Sequence, residues 1–236
     1  AHVLAEHGIE VGAPRLDLAA MHRRKAKVVA DLTGGVAMLM KKHGVAVIAG
    51  TGRVVDGGTV AVTDTGGAVS EYGAESIVLA AGSVPAELPA APFDGERIVS
   101  SDQAIAFDPV PERLVVVGGG VIGLELGQVW ARLGAAVTVV EFLDRILPGF
   151  DRDVGKQVQK TLRKLGITFH LGARVTGAEA GTDGVVVTAE TGGGDTLRLD
   201  ADRVLVAVGR RPCTETLGLA DAGIELTERG RVRVDA

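Results

Sequence analysis

Four short runs along the chain read as strands of one sheet: Leu114–Val117, Ala135–Val140, Ile167–Leu171 and Arg203–Val208. Near-continuous apolar runs of this length mark parallel strands covered on both faces. Between the first two, residues 121–133 have the period of a helix, which Gly134 is placed to end. Between the next two, Pro148 precedes a second amphipathic stretch, Arg152–Leu165, closed by Gly166. The pattern then changes. Arg174–Ala178, Gly184–Glu190 and Thr196–Leu199 alternate apolar and polar residues, as an antiparallel excursion does before the chain returns to the sheet. The prediction for residues 111–208 is a Rossmann-like, three-layer α/β domain with an antiparallel β-meander insertion.

Upstream, Leu16–Lys42 carries helical periodicity, with Met21, Val28, Val29, Leu32, Val36, Leu39 and Met40 sharing a broad face. Gly34 and Gly35 interrupt it at a cost of roughly 1 kcal/mol each relative to alanine, which suggests close approach by a neighbour. Val45–Ala49 reads as a short buried strand. Val54–Val55, Val60–Thr63 and Ala68–Tyr72, separated by glycine turns, read as an antiparallel meander, and Ser76–Ala80 as another buried strand. Pro85, Pro89, Pro92, Pro109 and Pro111 then punctuate a segment that is mostly linker. The expected units are therefore 1–110, 111–208 and a return segment, 209–236, whose turn-rich end holds one strand at Arg231–Val234. SIVLAAGSVP (76–85) and RVLVAVGRRP (203–212) echo each other, each like a chain crossing between two domains.

Composition narrows the class. With 236 residues, 46% of them hydrophobic and 23% charged, the chain can bury a substantial core. A net charge of −5 argues against nucleic-acid partners, and no apolar run is long enough for a membrane span. A single cysteine, Cys213, can form neither an internal disulfide nor a two-cysteine metal site, so the expected location is cytoplasmic. The histidines (His2, His7, His22, His43, His170) have no ligand spacing, and no metal is expected.

Candidate chemistry lies at residues 114–127, LVVVGGGVIGLELG. An apolar strand runs into Gly118, Gly120 and Gly123, and a helix follows; in that context a G-x-G-x-x-G spacing signals dinucleotide binding. Gly118 allows the tight turn, Gly120 lets a pyrophosphate reach the backbone, and Gly123 lets the helix pack close to the strand. The anion is expected on free N–H groups at the helix start, where the macrodipole is positive. Glu141 ends the next strand 18 residues after Gly123. This is near the spacing of about 20 for an acid that binds the adenine ribose. A carboxylate there repels a 2′-phosphate and so favours NAD over NADP.

These residues, with VTVVEFLDRILPGFD (137–151), LAAGSVPAELP, VGRRPCTETLGL (208–219) and LTGGVAMLMKKHGV (32–45), resemble the pyridine-nucleotide disulfide reductase family, and within it the lipoamide branch. The resemblance implies an FAD-binding domain, incomplete within 1–110, and an NAD-binding domain over 111–208. It implies that Gly118, Gly119, Gly120, Val121, Ile122 and Gly123 hold the NAD pyrophosphate, Glu141 the adenosine ribose and Val175 the adenine. Gly209 would lie along the nicotinamide half, and Glu125 would tune hydride transfer between nicotinamide and flavin. Gly52, Ala81, Gly82 and Ser83 would touch FAD. It further implies a homodimeric flavoprotein that oxidises dihydrolipoamide carried by a protein of a 2-oxo acid dehydrogenase complex, with NAD as acceptor. The family's first FAD glycine motif, its C-x-x-x-x-C redox pair and its C-terminal His–Glu pair are absent from these residues. The chain thus reads as the middle of a longer protein, expected to bind NAD(H) weakly, retain FAD poorly and lack lipoamide turnover. The rival readings are another flavoprotein, of mercuric reductase or NADH oxidase type, and a non-catalytic NAD-binding module.

Overall fold

A computed structural model describes residues 7–9 and 15–235; His2 and Ala236 lie outside them. The first element, α1 (Leu18–Lys42), starts where the Asp17 carboxylate accepts the Ala20 N–H at 2.8 Å. Lys41 and Lys42 in its last turn complement the negative end of the dipole, and Gly44 (φ 66°) lets the chain leave. None of its residues is buried. Two bonds tie it to the loop before the main sheet: His22 Nε2 to the Phe107 carbonyl at 3.0 Å, and Lys25 Nζ to the Ile105 carbonyl at 2.7 Å. A meander follows, β1 (Thr51–Asp56), β2 (Thr59–Thr63) and β3 (Val69–Gly73), paired in order and antiparallel.

Next comes β4 (Ser83–Pro85), then β5 (Ile98–Val99) and the short helix α2 (Ser101–Ala104). The nucleotide-binding pattern continues as β6 (Arg113–Val117), α3 (Val121–Arg132), β7 (Ala136–Glu141), α4 (Arg152–Lys164) and β8 (Thr168–Leu171). The excursion is β9 (Ala173–Ala180), β10 (Val185–Thr191) and β11 (Thr196–Ala201), after which β12 (Arg203–Val206) re-enters and β13 (Arg210–Pro212) leaves. Five strands form the parallel sheet in the order β5-β12-β6-β7-β8.

Alternation along each central strand builds three layers. Leu114, Val116, Val137, Val139 and Leu205 point to the helices and pack with Leu124, Trp130, Ile146 and Leu162. Val115, Val117, Val140, Val204 and Val206 point the other way, onto Val175, Val185 and Val187 of the antiparallel sheet. Trp130 satisfies its indole N–H on the Ala104 carbonyl at 2.8 Å while its ring lies 5.2 Å from that of Phe107. No helix among the described residues is long and apolar enough to cross a membrane.

Several elements differ from expectation. Val45–Ala49 and Ser76–Ala80 are not strands, and Val47 and Val78 are 78% and 87% exposed. Both have strand-like composition, but no neighbouring strand among the described residues pairs with them. Among the described residues no atom lies within 4 Å of the Cβ position at Gly34 or Gly35, so no close neighbour there explains them. Arg231–Val234 makes only an isolated bridge, Leu226 to Val232. The segment read mostly as linker contributes β5, a strand of two residues, too short to show a period. The echoing segments do meet: β4 and β13 pair antiparallel, Arg210 Nε donates to Ser83 Oγ at 2.7 Å, and Cys213 N–H donates to the Gly82 carbonyl at 3.1 Å.

Candidate functional site

The site forms where β6 turns into α3. Gly118 has φ 108°, and a Cβ there would lie 2.5 Å from the Ala207 carbonyl oxygen, so only glycine turns here without moving β12. Gly123 faces back along the same strand. Its Cβ would come within 2.4 Å of the Gly118 carbonyl oxygen and 2.9 Å of Val116 Cγ1, so its bareness sets how close α3 sits to β6. At Gly120 the situation is the reverse: among the described residues nothing lies within 4 Å, and the backbone faces open space. Gly120 is the N-cap of α3 and has no side-chain cap. The first N–H groups of the helix are left for a ligand or water.

Glu141 stands at the end of β7, only 8% exposed. One carboxylate oxygen accepts the Gly119 N–H at 2.6 Å and the other accepts the Leu143 N–H at 2.8 Å. Charge-assisted bonds of this kind hold a carboxylate firmly. Each oxygen keeps acceptor capacity for a further donor. On the other side of Gly119, its carbonyl accepts the Leu147 N–H at 2.9 Å. Leu147 has φ 50°, a conformation that a leucine holds only when its surroundings fix it, and buried Ile146 packs beside it. The loop after β7 and the glycine turn are thus one interlocked unit.

Between them opens a cleft of about 790 Å³. Gly118, Gly120, Val121 and Ile122 form one wall, Glu141 stands in it, and Val175 and Gly209 lie on the side of β9 and the β12 exit. Gly119 and Gly123 support this wall from behind. The geometry fits a dinucleotide pyrophosphate: an open glycine cradle, uncapped helix amides and a fixed acid share one cavity. The other expected residues are elsewhere. Glu125 is exposed on α3 and does not line the cleft. Gly52 sits in the meander opposite Val62, while Ala81 and Gly82 are exposed and Ser83 belongs to the β4–β13 pair. Phe142 and Arg174 are among the cleft residues that the sequence reading did not assign to the site. Their only signal was position, each adjoining a residue already singled out (Glu141 and Val175).

The sequence profile described as pyridine nucleotide-disulphide oxidoreductase matches residues 3–236. The chain belongs to this family. It is 44% identical to "Dihydrolipoamide dehydrogenase" of Chaetomium thermophilum, over 99% of this chain and 47% of that protein. It is 48% identical to "Dihydrolipoyl dehydrogenase 3" of Pseudomonas aeruginosa, over 96% of this chain and 48% of that one. Among solved structures, LpdA from Mycobacterium tuberculosis aligns with a TM-score of 0.84 at 31% identity, covering 95% of this chain and 49% of its own. The fold is that of these flavoprotein reductases, and the chain spans about half the length of the curated relatives it matches.

Proposed function

We propose that this chain is the NAD-binding domain, with part of the FAD-binding domain, of a dihydrolipoyl dehydrogenase. The whole protein oxidises dihydrolipoamide on a carrier protein of a 2-oxo acid dehydrogenase complex, acts as a homodimer and passes electrons through FAD to NAD. The observation that carries this reading is the Glu141 carboxylate, held 2.6 Å from the Gly119 amide in a cleft that the glycine turn lines. The similarity to dihydrolipoyl dehydrogenases along nearly the whole chain supports the same reading.

In this scheme the Val121 and Ile122 amides at the start of α3 bind the pyrophosphate, and Gly118 and Gly120 leave room for it. Glu141 accepts the adenosine ribose hydroxyls with the acceptor capacity its two amide bonds leave, Val175 bounds the adenine, and Gly209 follows the nicotinamide half. Bound nicotinamide supplies the two-electron acceptor chemistry. Glu125 is proposed to tune that contact, and Gly52 and Ala81–Ser83 to touch the flavin. These residues carry neither a cysteine pair nor a His–Glu pair, so we propose that the chain by itself binds NAD(H) without turning over dihydrolipoamide. With one thiol, Cys213, a cytoplasmic location is proposed.

The test is Glu141→Ala with NADH binding followed by calorimetry. Affinity is expected to fall by about 1.5–3 kcal/mol, the scale of hydrogen bonds to a charged group. Unchanged affinity would remove Glu141 from the site and the dinucleotide reading with it.

A further inference from the structure

The far end of the cleft holds a pair of side chains that the binding scheme does not use. Arg174, in β9, places its guanidinium carbon 4.8 Å from the centroid of the Phe142 ring. Both residues line the cleft. Phe142 directly follows Glu141 and is 58% exposed, an unusual setting for so large an apolar surface beside a charged strand tip. Arg174 precedes Val175, and Val175 packs with Val140 in the same apolar cluster, so the tip of β7 and the start of β9 adjoin. Among the described residues Arg174 makes no salt bridge, and its guanidinium lies against the Phe142 ring. A guanidinium drawn to an aromatic ring, without a carboxylate partner, keeps a planar face on which a further π-system can stack.

We propose that Arg174, held on Phe142, is the platform on which the adenine ring of the dinucleotide stacks, a positioning residue for the adenosine half. The inference rests on the dinucleotide reading of the cleft and goes beyond it by assigning the purine a stacking face. The geometry favours it because Glu141 fixes the ribose, and a base leaving that ribose meets the segment that begins with Phe142. A purine offers a π-face of the kind that stacks on guanidinium planes as well as on aromatic rings.

The test is binding of AMP and of 2′,5′-ADP to the protein and its variants by calorimetry, with thermal melts to confirm folding. Arg174→Ala is expected to weaken AMP about tenfold, within the range for loss of one stacking partner. Arg174→Lys is expected to lose nearly as much, because an ammonium group is a point charge with no flat face. Arg174→Gln keeps a planar amide and is expected to recover part of the loss. AMP binding within twofold of the parent in Arg174→Ala overturns the platform, and so does full retention in Arg174→Lys. Tighter binding of 2′,5′-ADP than of AMP by the parent overturns it too, since Arg174 would then read a phosphate. Glu141→Ala separates the two levels. If it weakens AMP and Arg174→Ala does not, the platform alone fails; if neither matters, the dinucleotide reading fails as well.

Discussion

LVVV at 114–117 and VAVIA at 45–49 are close to interchangeable as local sequences, yet they end in opposite environments. Val116 is fully buried, flanked by β12 and β7, whereas Val47 is 78% exposed and irregular. The contrast extends to whole regions. The sheet of residues 98–206 buries both faces, one under helices and one under the antiparallel layer. The helix α1 leaves Leu32 and Met38 68% and 67% exposed, and Val78 stands out at 87%. An apolar run becomes a strand only where neighbours complete its ladder and cover it, because unpaired backbone groups are costly to bury.

The sharpest way to break this contrast is paired truncation. Leu205→Ala, at a side chain with no exposed surface, should cost about 2–5 kcal/mol in denaturant unfolding. Leu32→Ala, on the open face of α1, should stay within about 0.5 kcal/mol of the parent. Comparable losses from both would mean that the helix face is covered in solution. The glycines should separate the regions in sign as well as size. Gly123→Ala drives a methyl group into the Gly118 carbonyl and should destabilise by about 1–3 kcal/mol while displacing the cradle. Gly35→Ala, with nothing within 4 Å, should stabilise the α1 helix by roughly 0.5–1 kcal/mol, seen as a higher melting temperature. A destabilising Gly35→Ala would reveal a close partner for that face.

The packed region was also the legible one. Strand, turn, helix and the acid at the next strand's tip are all local in sequence, and the structure brings Gly118, Gly120, Val121, Ile122, Glu141, Val175 and Gly209 to one cleft. Long-range properties escaped. The partner of a strand is not written in its own residues, which is why Val45–Ala49 and Ser76–Ala80 read as strands and are not. A two-residue strand such as Ile98–Val99 has no period to detect. The Arg174–Phe142 contact joins positions 32 apart in sequence, one in β9 and one just past β7, whose adjacency emerges only in the fold. The double duty of Glu141, bonded to two backbone amides, could not be read from spacing either.

The smallest expected effect is acid sensitivity at two carboxyls of the packed region. Arg113 Nη2 lies 2.8 Å from Asp202 Oδ1, and the Arg113 backbone N–H donates to Oδ2 at 2.9 Å, tying the start of β6 to the start of β12. Burial pushes the Asp202 carboxyl up, but the Arg113 side chain, the two backbone amides and the Arg113 charge together carry it below the ordinary carboxylate value. Asp94, which accepts the N–H groups of Glu96, Arg97 and Ile98 at the entry to β5, is also lowered, its amide bonds outweighing burial. A carboxyl lowered by folding contributes stability that is complete above its unfolded value, near 3.9, and is lost as pH falls through the folded value. Stability is therefore flat in these two groups near neutrality and declines once pH drops below about 4. Asp202→Asn should lower stability at pH 7 and flatten the acid limb of a pH series of unfolding curves. Asp94 should leave a residual slope in that variant. Hydrogen exchange localises the effect: β6 and β12 amides should lose protection in the variant at neutral pH, while those of α1, bonded through His22 and Lys25 to the loop before β6, should not change. An acid limb as steep in Asp202→Asn as in the parent would assign the acid sensitivity to other groups, and uniform loss across α1 would mean that the two regions unfold as one.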